Sequence, residues 1–418
     1  MEKKTFLGSI MRGDSWIWGI YLLLFFISSV EMFSASSRLV YRAMTSTDPV
    51  FQHMEYLFGG FCAVLVFQSF SAKALRNWSI MFYLGGLLGL VLLFVMGKSH
   101  QGAMRSVAGV QPAEVCKVGL MMTLCLALTL RDEVYQRFSV FRRNIELRRF
   151  IFYMILAILV GVPIMTQNLS TALIIGMAAL AIMWIGGAKA KYIGVIILVA
   201  IIVGGIFGTA LWALHESDVN SKNAAVEQIN LGPLNRAHTW ASRIFESDPI
   251  PLADQKPNDD NAQVIHAHMA LANSYPFGKF IGNSQLRDLL PEAYSDYIYA
   301  IIFEEMGFEG ALFVMLLYLV LLGRCFYLSC KTSDVFVRLL LIALPTLMTI
   351  QALIHMGVCT DAMFVTGQPL PLLSRGGSSV IFTSISFGIL LALSRIVKIE
   401  RTHEAEEQSV PQVQVESV

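Results

Sequence analysis

Ten stretches of this chain, at 16–36, 54–72, 77–97, 113–131, 150–167, 170–187, 191–214, 297–323, 337–358 and 377–397, are long and apolar enough to read as membrane-crossing helices. A hydrocarbon core about 30 Å thick needs roughly 20 such residues at about 1.5 Å each. Lipid offers no hydrogen bonds, so a segment that crosses alone must satisfy its own backbone, and a helix does that. Composition agrees. Of 418 residues, 55% are hydrophobic and only 15% charged, against roughly a quarter charged in soluble domains. The expected fold class is an all-α polytopic membrane protein, with about ten transmembrane helices and one large extracytoplasmic loop. A net charge of +1 gives no bulk attraction to nucleic acid.

Lys3, Lys4 and Arg12 precede the first apolar run. From Trp16 to Phe33 that run exceeds a signal-peptide core, so it reads as an uncleaved first helix. Placing the N-terminus in the cytoplasm puts the excess of Lys and Arg inside, including Arg142, Arg143, Arg148 and Arg149. The expected organisation is a cytoplasmic N-terminus at 1–15, helices one to seven at 16–214, an extracytoplasmic loop at 215–296, helices eight to ten at 297–399, and a disordered cytoplasmic tail at 400–418. The loop is polar and partly irregular around Pro257-Asn258-Asp259-Asp260-Asn261. The cysteines Cys62, Cys116, Cys125, Cys325, Cys330 and Cys359 show no CxxC spacing, so neither a metal site nor a disulfide framework is suggested. His266, His268 and His355 read as loop or packing residues.

Three polar constellations interrupt the apolar pattern. The first is Leu290-Pro291-Glu292-Ala293-Tyr294-Ser295-Asp296, where the polar loop meets the eighth apolar run. A carboxylate there sits at the membrane surface and can act as a general base toward a lipid-linked substrate. Ser295 or Asp296 can equally cap the helix that follows. Glu304 and Glu305 follow about 12 Å further along a helix, which implies a polar cavity lined by Asp296 and one glutamate, or structural pairing of the glutamates. The apolar span proper then begins near Gly310.

The second is Gln111-Pro112-Ala113-Glu114-Val115-Cys116-Lys117. Pro112 suits a first helical turn, and Glu114 and Lys117 share a face at i, i+3. Arg105 lies on the loop before it, on the same outer side as Asp296. The third runs from Thr366 to Ser379, through Gln368-Pro369-Leu370-Pro371 to Arg375-Gly376-Gly377-Ser378-Ser379. A glycine-rich helix N-terminus beside an arginine offers N–H groups and charge to an anion such as pyrophosphate. Close helix packing at the glycines with serine capping is the plainer reading.

Together these blocks, with Gln167-Asn168-Leu169-Ser170-Thr171, Gly282-Asn283-Ser284 and Glu304-Glu305-Met306-Gly307, resemble the SEDS family (shape, elongation, division and sporulation) in order over most of the chain, and within it the FtsW branch. The resemblance implies a peptidoglycan glycosyltransferase that polymerises lipid II at the outer face of the cytoplasmic membrane. Its implied partners are a class B penicillin-binding transpeptidase and other divisome proteins, and its implied place is the division septum. It places the catalytic aspartate on Asp296 and the transmembrane acid and base on Glu114 and Lys117. Arg105, Arg375, Gly376, Gly377, Ser378 and Ser379 are the candidate substrate contacts. Glu292, Ser295, Glu304, Glu305, Asn168 and Thr171 are the candidate supporting residues. A divalent cation, Mg²⁺ or Mn²⁺, is a candidate cofactor. Four departures stand out: Asn168 and Ser170 where Asp and Gly are usual, Ala272-Asn273-Ser274-Tyr275-Pro276-Phe277-Gly278 where a glycine-rich stretch is usual, Arg375 where Tyr is usual, and His355 where Asn is usual. A lipid flippase and a non-catalytic scaffold for the transpeptidase remain as alternatives, and the lack of an evident internal repeat weighs against a transporter.

Overall fold

The computed structural model describes residues 11–35, 48–96, 99–100, 103–104, 109–130, 145–202, 205, 209, 262–284, 295–363 and 366–409. Its helices are α1 (Ser15–Ala35), α2 (Asp48–Phe67), α3 (Ala72–Met96), α4 (Pro112–Leu128), α5 (Ile145–Gln167), α6 (Leu169–Ile185), α7 (Ala190–Ile202), α8 (Ala262–Ser274), α9 (Ile298–Ser329), α10 (Val335–Cys359) and α11 (Gly377–Ser409). A two-residue antiparallel pair, Ser99–His100 with Ala103–Met104, follows α3. Every one of the ten apolar stretches falls on a helix. Among the described residues, seven helices are long and apolar enough to cross a membrane: α1, α2, α3, α5, α9, α10 and α11. The α4, α6 and α7 helices are shorter.

Burial shows which helices form the centre. About 72% of the apolar window of α10 and 78% of that of α11 is buried, against 28% for α2 and for α5. The outer helices instead expose large apolar side chains such as Phe26, Phe58, Val95 and Ile158. That is the expected arrangement where the solvent is lipid. Helix starts follow local chemistry. Asp334 caps α10 by accepting from Phe336 N at 2.9 Å and Val337 N at 3.4 Å, and Asn168 caps α6 by accepting from Thr171 N at 3.2 Å. Pro112 opens α4, where its missing N–H is harmless. The α3 and α4 backbones approach closely because Gly119 has no side chain. A Cβ there would lie 2.7 Å from Phe82 C and Tyr83 N.

Three features differ from the expectation. The polar loop contains the 13-residue helix α8, packed against α9 and α10. The last helix continues to Ser409 instead of giving way to a disordered tail after 399. The long helix α9 breaks at Gly307 (φ 72°, ψ −173°), three residues before the expected start of its apolar span. The break is held from outside: Phe308 N donates to Pro276 O at 3.0 Å and Lys279 N donates to Glu304 O at 2.9 Å. Residues 215–261 and the last part of the seventh apolar stretch lie outside the described residues, apart from 205 and 209.

Candidate active site

A cleft of about 110 Å³ opens between α3, α4, α5, α6 and the segment 366–376. One wall is apolar, formed by Leu90, Leu93 and Ile164. The other is polar and holds Glu114, Asn168, Thr171, Ser295, Asp296, Gln368, Arg375, Gly376 and Ser379.

Asp296 is half-buried in the turn before α9. Ser295 Oγ donates to its Oδ1 at 3.0 Å. Gly367, at φ +61°, brings bare backbone against the other oxygen: a Cβ there would lie 3.4 Å from Oδ2. Tyr297, not Ser295 or Asp296, occupies the N-cap position of α9, and no side chain caps it. The capping alternative therefore does not apply, and the carboxylate faces the cleft.

Glu114 and Lys117 are both buried and pair at 2.8 Å. Glu114 lines the cleft and Lys117 lies behind it, donating to Gln351 Oε1 at 2.9 Å. An ion pair placed there gains attraction in a weakly screened interior but loses hydration, so it is poor evidence for stability and better evidence for a required charge pattern. Asn168, where the family pattern carries a carboxylate, still supplies the α6 cap. Thr171 Oγ1 accepts from Gln368 Nε2 at 2.8 Å, joining α6 to the polar wall.

The segment that carries this wall is tied carbonyl by carbonyl. His355 Nδ1 donates to Gln368 O at 2.6 Å, Gln351 Nε2 to Pro369 O at 2.7 Å, Tyr318 OH to Pro371 O at 2.5 Å, and Ser28 Oγ to Leu372 O at 2.8 Å. Leu370 O is taken by its own turn, through Leu373 N and Ser374 N. Two of these residues are prolines, which lack an N–H, so the segment cannot form a regular ladder and is satisfied instead by side chains from α1, α9 and α10. Ser374 Oγ donates to Ser295 O at 2.7 Å, which fixes the Asp296 turn to the same segment.

The remaining sequence candidates divide by position. Arg375 lines the cleft, and its Nη2 donates to Gln52 Oε1 at 3.1 Å. Gly376 and Ser379 line it as well. Gly377 does not: it packs under the Tyr56 ring, where a Cβ would lie 2.5 Å from the ring. Ser378 is a structural link, donating to Gly109 O at 3.1 Å and accepting from Gln111 N at 3.0 Å. Glu304 and Glu305 are fully buried but turn away from the cleft. Glu304 accepts from Lys279 Nζ at 2.9 Å and Ser284 Oγ at 2.5 Å, and Glu305 accepts from Ser34 Oγ. The expectation that a glutamate joins Asp296 in one cavity is corrected. Asp296 precedes the helix, so helical spacing does not relate the two. The second carboxylate of the cleft is Glu114. Arg105 and Glu292 lie outside the described residues. Gln111, Gln167 and Gln368 line the cleft without having been singled out. Each stands in a block that the sequence marks, Gln111 before Pro112, Gln167 before Asn168 and Gln368 before Pro369.

Among the described residues no three His, Cys, Asp or Glu side chains converge on one point. Mg²⁺ is commonly held by one or two carboxylates together with substrate phosphates. Asp296 and Glu114 are the carboxylates that line the cleft and the residues that would hold such an ion.

The family model described as cell cycle protein, that of FtsW, RodA and SpoVE, matches residues 14–399. A probable peptidoglycan glycosyltransferase FtsW from Geobacter metallireducens is 28% identical over 352 residues, covering 82% of this chain and 84% of the relative. A protein of the same description from Bacillus subtilis is 32% identical over 257 residues, covering 61% and 58%. Among solved structures, a chain from a peptidoglycan synthase complex, studied for its coordination of polymerization and crosslinking, superposes with a TM-score of 0.65 at 22% identity, covering 92% of this chain and 98% of that one. The Thermus thermophilus rod shape determining protein RodA gives 0.60 at 21% identity, covering 92% and 97%.

Proposed function

The chain belongs to the FtsW, RodA and SpoVE family of cell cycle proteins, and from that premise we propose that it is a peptidoglycan glycosyltransferase that polymerises lipid II. The observation that carries this reading is the Asp296 carboxylate, which caps no helix, in a cleft with one polar and one apolar wall, facing the same space as Arg375. A lipid-linked saccharide has the matching division: a prenyl chain for the Leu90, Leu93 and Ile164 side, and pyrophosphate and sugar for the other.

In this mechanism Asp296 takes the proton from the 4-hydroxyl of the acceptor sugar. The freed oxygen attacks the anomeric carbon of the donor from the face opposite the pyrophosphate, so the configuration inverts. The bond from that carbon to the pyrophosphate oxygen breaks, and prenyl pyrophosphate leaves with the electron pair. Arg375 and the backbone around Gly376 stand where a departing anion is stabilised. Glu114, held by Lys117, orients the polar groups of the saccharide. A bound Mg²⁺ or Mn²⁺, held by Asp296 or Glu114, would neutralise charge on the leaving group.

The proposed setting is the cytoplasmic membrane at the division septum, with both termini inside and the cleft toward the outer face. The proposed partner is a class B penicillin-binding transpeptidase within the divisome. Purified protein supplied with lipid II in bilayers tests the reading. Glycan strands are the expected product. Transfer of lipid II between leaflets without strand formation would instead identify a flippase. Assembly with the transpeptidase and neither activity would identify a scaffold.

A further inference from the structure

The corner just before Arg375 is held in an unfavourable backbone conformation. Leu372 is buried at φ +67°, in the left-handed region that residues with a side chain avoid. Such a conformation persists where its surroundings over-determine it. The surroundings here are two helices that supply no other residue to the catalytic proposal. Ser28 of α1 donates to Leu372 O at 2.8 Å, and Ser28 Oγ lies 2.9 Å from His53 Nε2 of α2. A carbonyl only accepts, so Ser28 gives its single proton to Leu372. His53 must then donate from Nε2 to Ser28 Oγ, which fixes the ring tautomer. Ser28 and His53 are both fully buried. The adjacent residue, Gln52, accepts from the Arg375 guanidinium at 3.1 Å. Successive residues of α2 therefore hold the corner from below and the guanidinium from outside.

We propose that Ser28, His53 and Gln52 are positioning residues that lock the Leu372 corner and aim Arg375 into the cleft as the group that binds the donor's pyrophosphate. This rests on the functional reading above. It goes further, because it assigns to α1 and α2 the placement of the anion-binding charge. None of the three residues lines the cleft, so they act through Arg375.

A double-mutant cycle on the full chain in lipid bilayers tests it. Polymerisation of lipid II is measured for wild type, Ser28→Ala, Ser28→Thr, His53→Gln, Gln52→Ala, Arg375→Ala, and the Ser28→Ala and Gln52→Ala changes each combined with Arg375→Ala. Ser28→Ala is expected to lower kcat/KM about tenfold and Gln52→Ala about threefold, with Ser28→Thr near wild type because it keeps the hydroxyl. Each double variant should match Arg375→Ala alone, since residues that work through one group are not additive. Losses that add to that of Arg375→Ala would overturn the proposal. Gln52 is exposed, so its variant tests the idea even if Ser28→Ala fails to fold. If wild type makes no polymer, the glycosyltransferase reading fails by itself. The same variants are then scored by affinity for undecaprenyl pyrophosphate, where non-additive losses uphold the positioning role, and additive or absent losses refute it.

Discussion

Two Glu–Lys pairs, each with a buried glutamate, serve different ends in this molecule. Glu114 and Lys117 pair at 2.8 Å within one turn of α4, and the glutamate lines the cleft. Glu304 and Lys279 pair at 2.9 Å across 25 positions of sequence, and neither lines it. The first pair lets a carboxylate stand in a weakly hydrated cleft with its counter-charge behind it. The second is a latch: with Ser284 and the Lys279 N–H it fastens the segment after α8 to α9 beside the Gly307 break. The same chemistry is thus electrostatic furniture in one place and a clasp in the other, and only what the glutamate faces tells them apart.

That contrast can be broken experimentally. Lys117→Ala strands the Glu114 charge in the cleft wall. It should lower stability by roughly 3–5 kcal/mol and lower lipid II polymerisation by about 100-fold or more, read by thermal unfolding and by strand formation in bilayers. Lys279→Ala removes the lysine ammonium bonded to Glu304. It should lower stability by roughly 2–3 kcal/mol and speed limited proteolysis of the segment after α8, while polymerisation falls less than in Lys117→Ala. Equal losses of activity in the two variants would erase the distinction. Asn168→Ala removes a helix cap at the cleft edge and should lower stability by about 1 kcal/mol, with Asn168→Asp retaining it. The smallest effect belongs to a pair outside both sites. Arg76 and Asp334 meet at 2.6 Å but are partly exposed, so Arg76→Ala should change stability by under about 1 kcal/mol and leave activity intact.

The contrast also marks what the chain discloses in one dimension. Glu114 and Lys117 are three residues apart, so their pairing is local and readable. Lys279 finds Glu304 only after the loop returns to α9, and no local pattern announces it. The membrane helices are legible because lipid demands long apolar runs. The α8 helix is not, because its 13 residues carry polar and apolar groups in an ordinary soluble mixture. The last helix continues past the apolar run because exposed polar residues such as Arg401, Glu404 and Glu406 support a helix in water as well as a coil. At the cleft, the motifs located Asp296, Glu114 and Arg375. They did not distinguish Gly376 and Ser379, which line it, from Gly377 and Ser378, which pack and bond elsewhere, because rotation about a helix axis is fixed by distant neighbours. The tethers from Ser28, Tyr318, Gln351 and His355 to one proline-rich segment are equally invisible, since each joins residues far apart in sequence.

In the proposed reaction the Asp296 carboxylate accepts the proton from the attacking sugar. The most direct measurement is the rate of glycan strand formation from lipid II by purified Asp296→Asn protein in bilayers beside wild type, with thermal unfolding of both as a control for folding. Asparagine keeps the shape and the Ser295 neighbour but cannot take the proton. The expected result is an unfolding midpoint close to that of wild type and no detectable strands. Strand formation at a wild-type rate by the folded variant would contradict it.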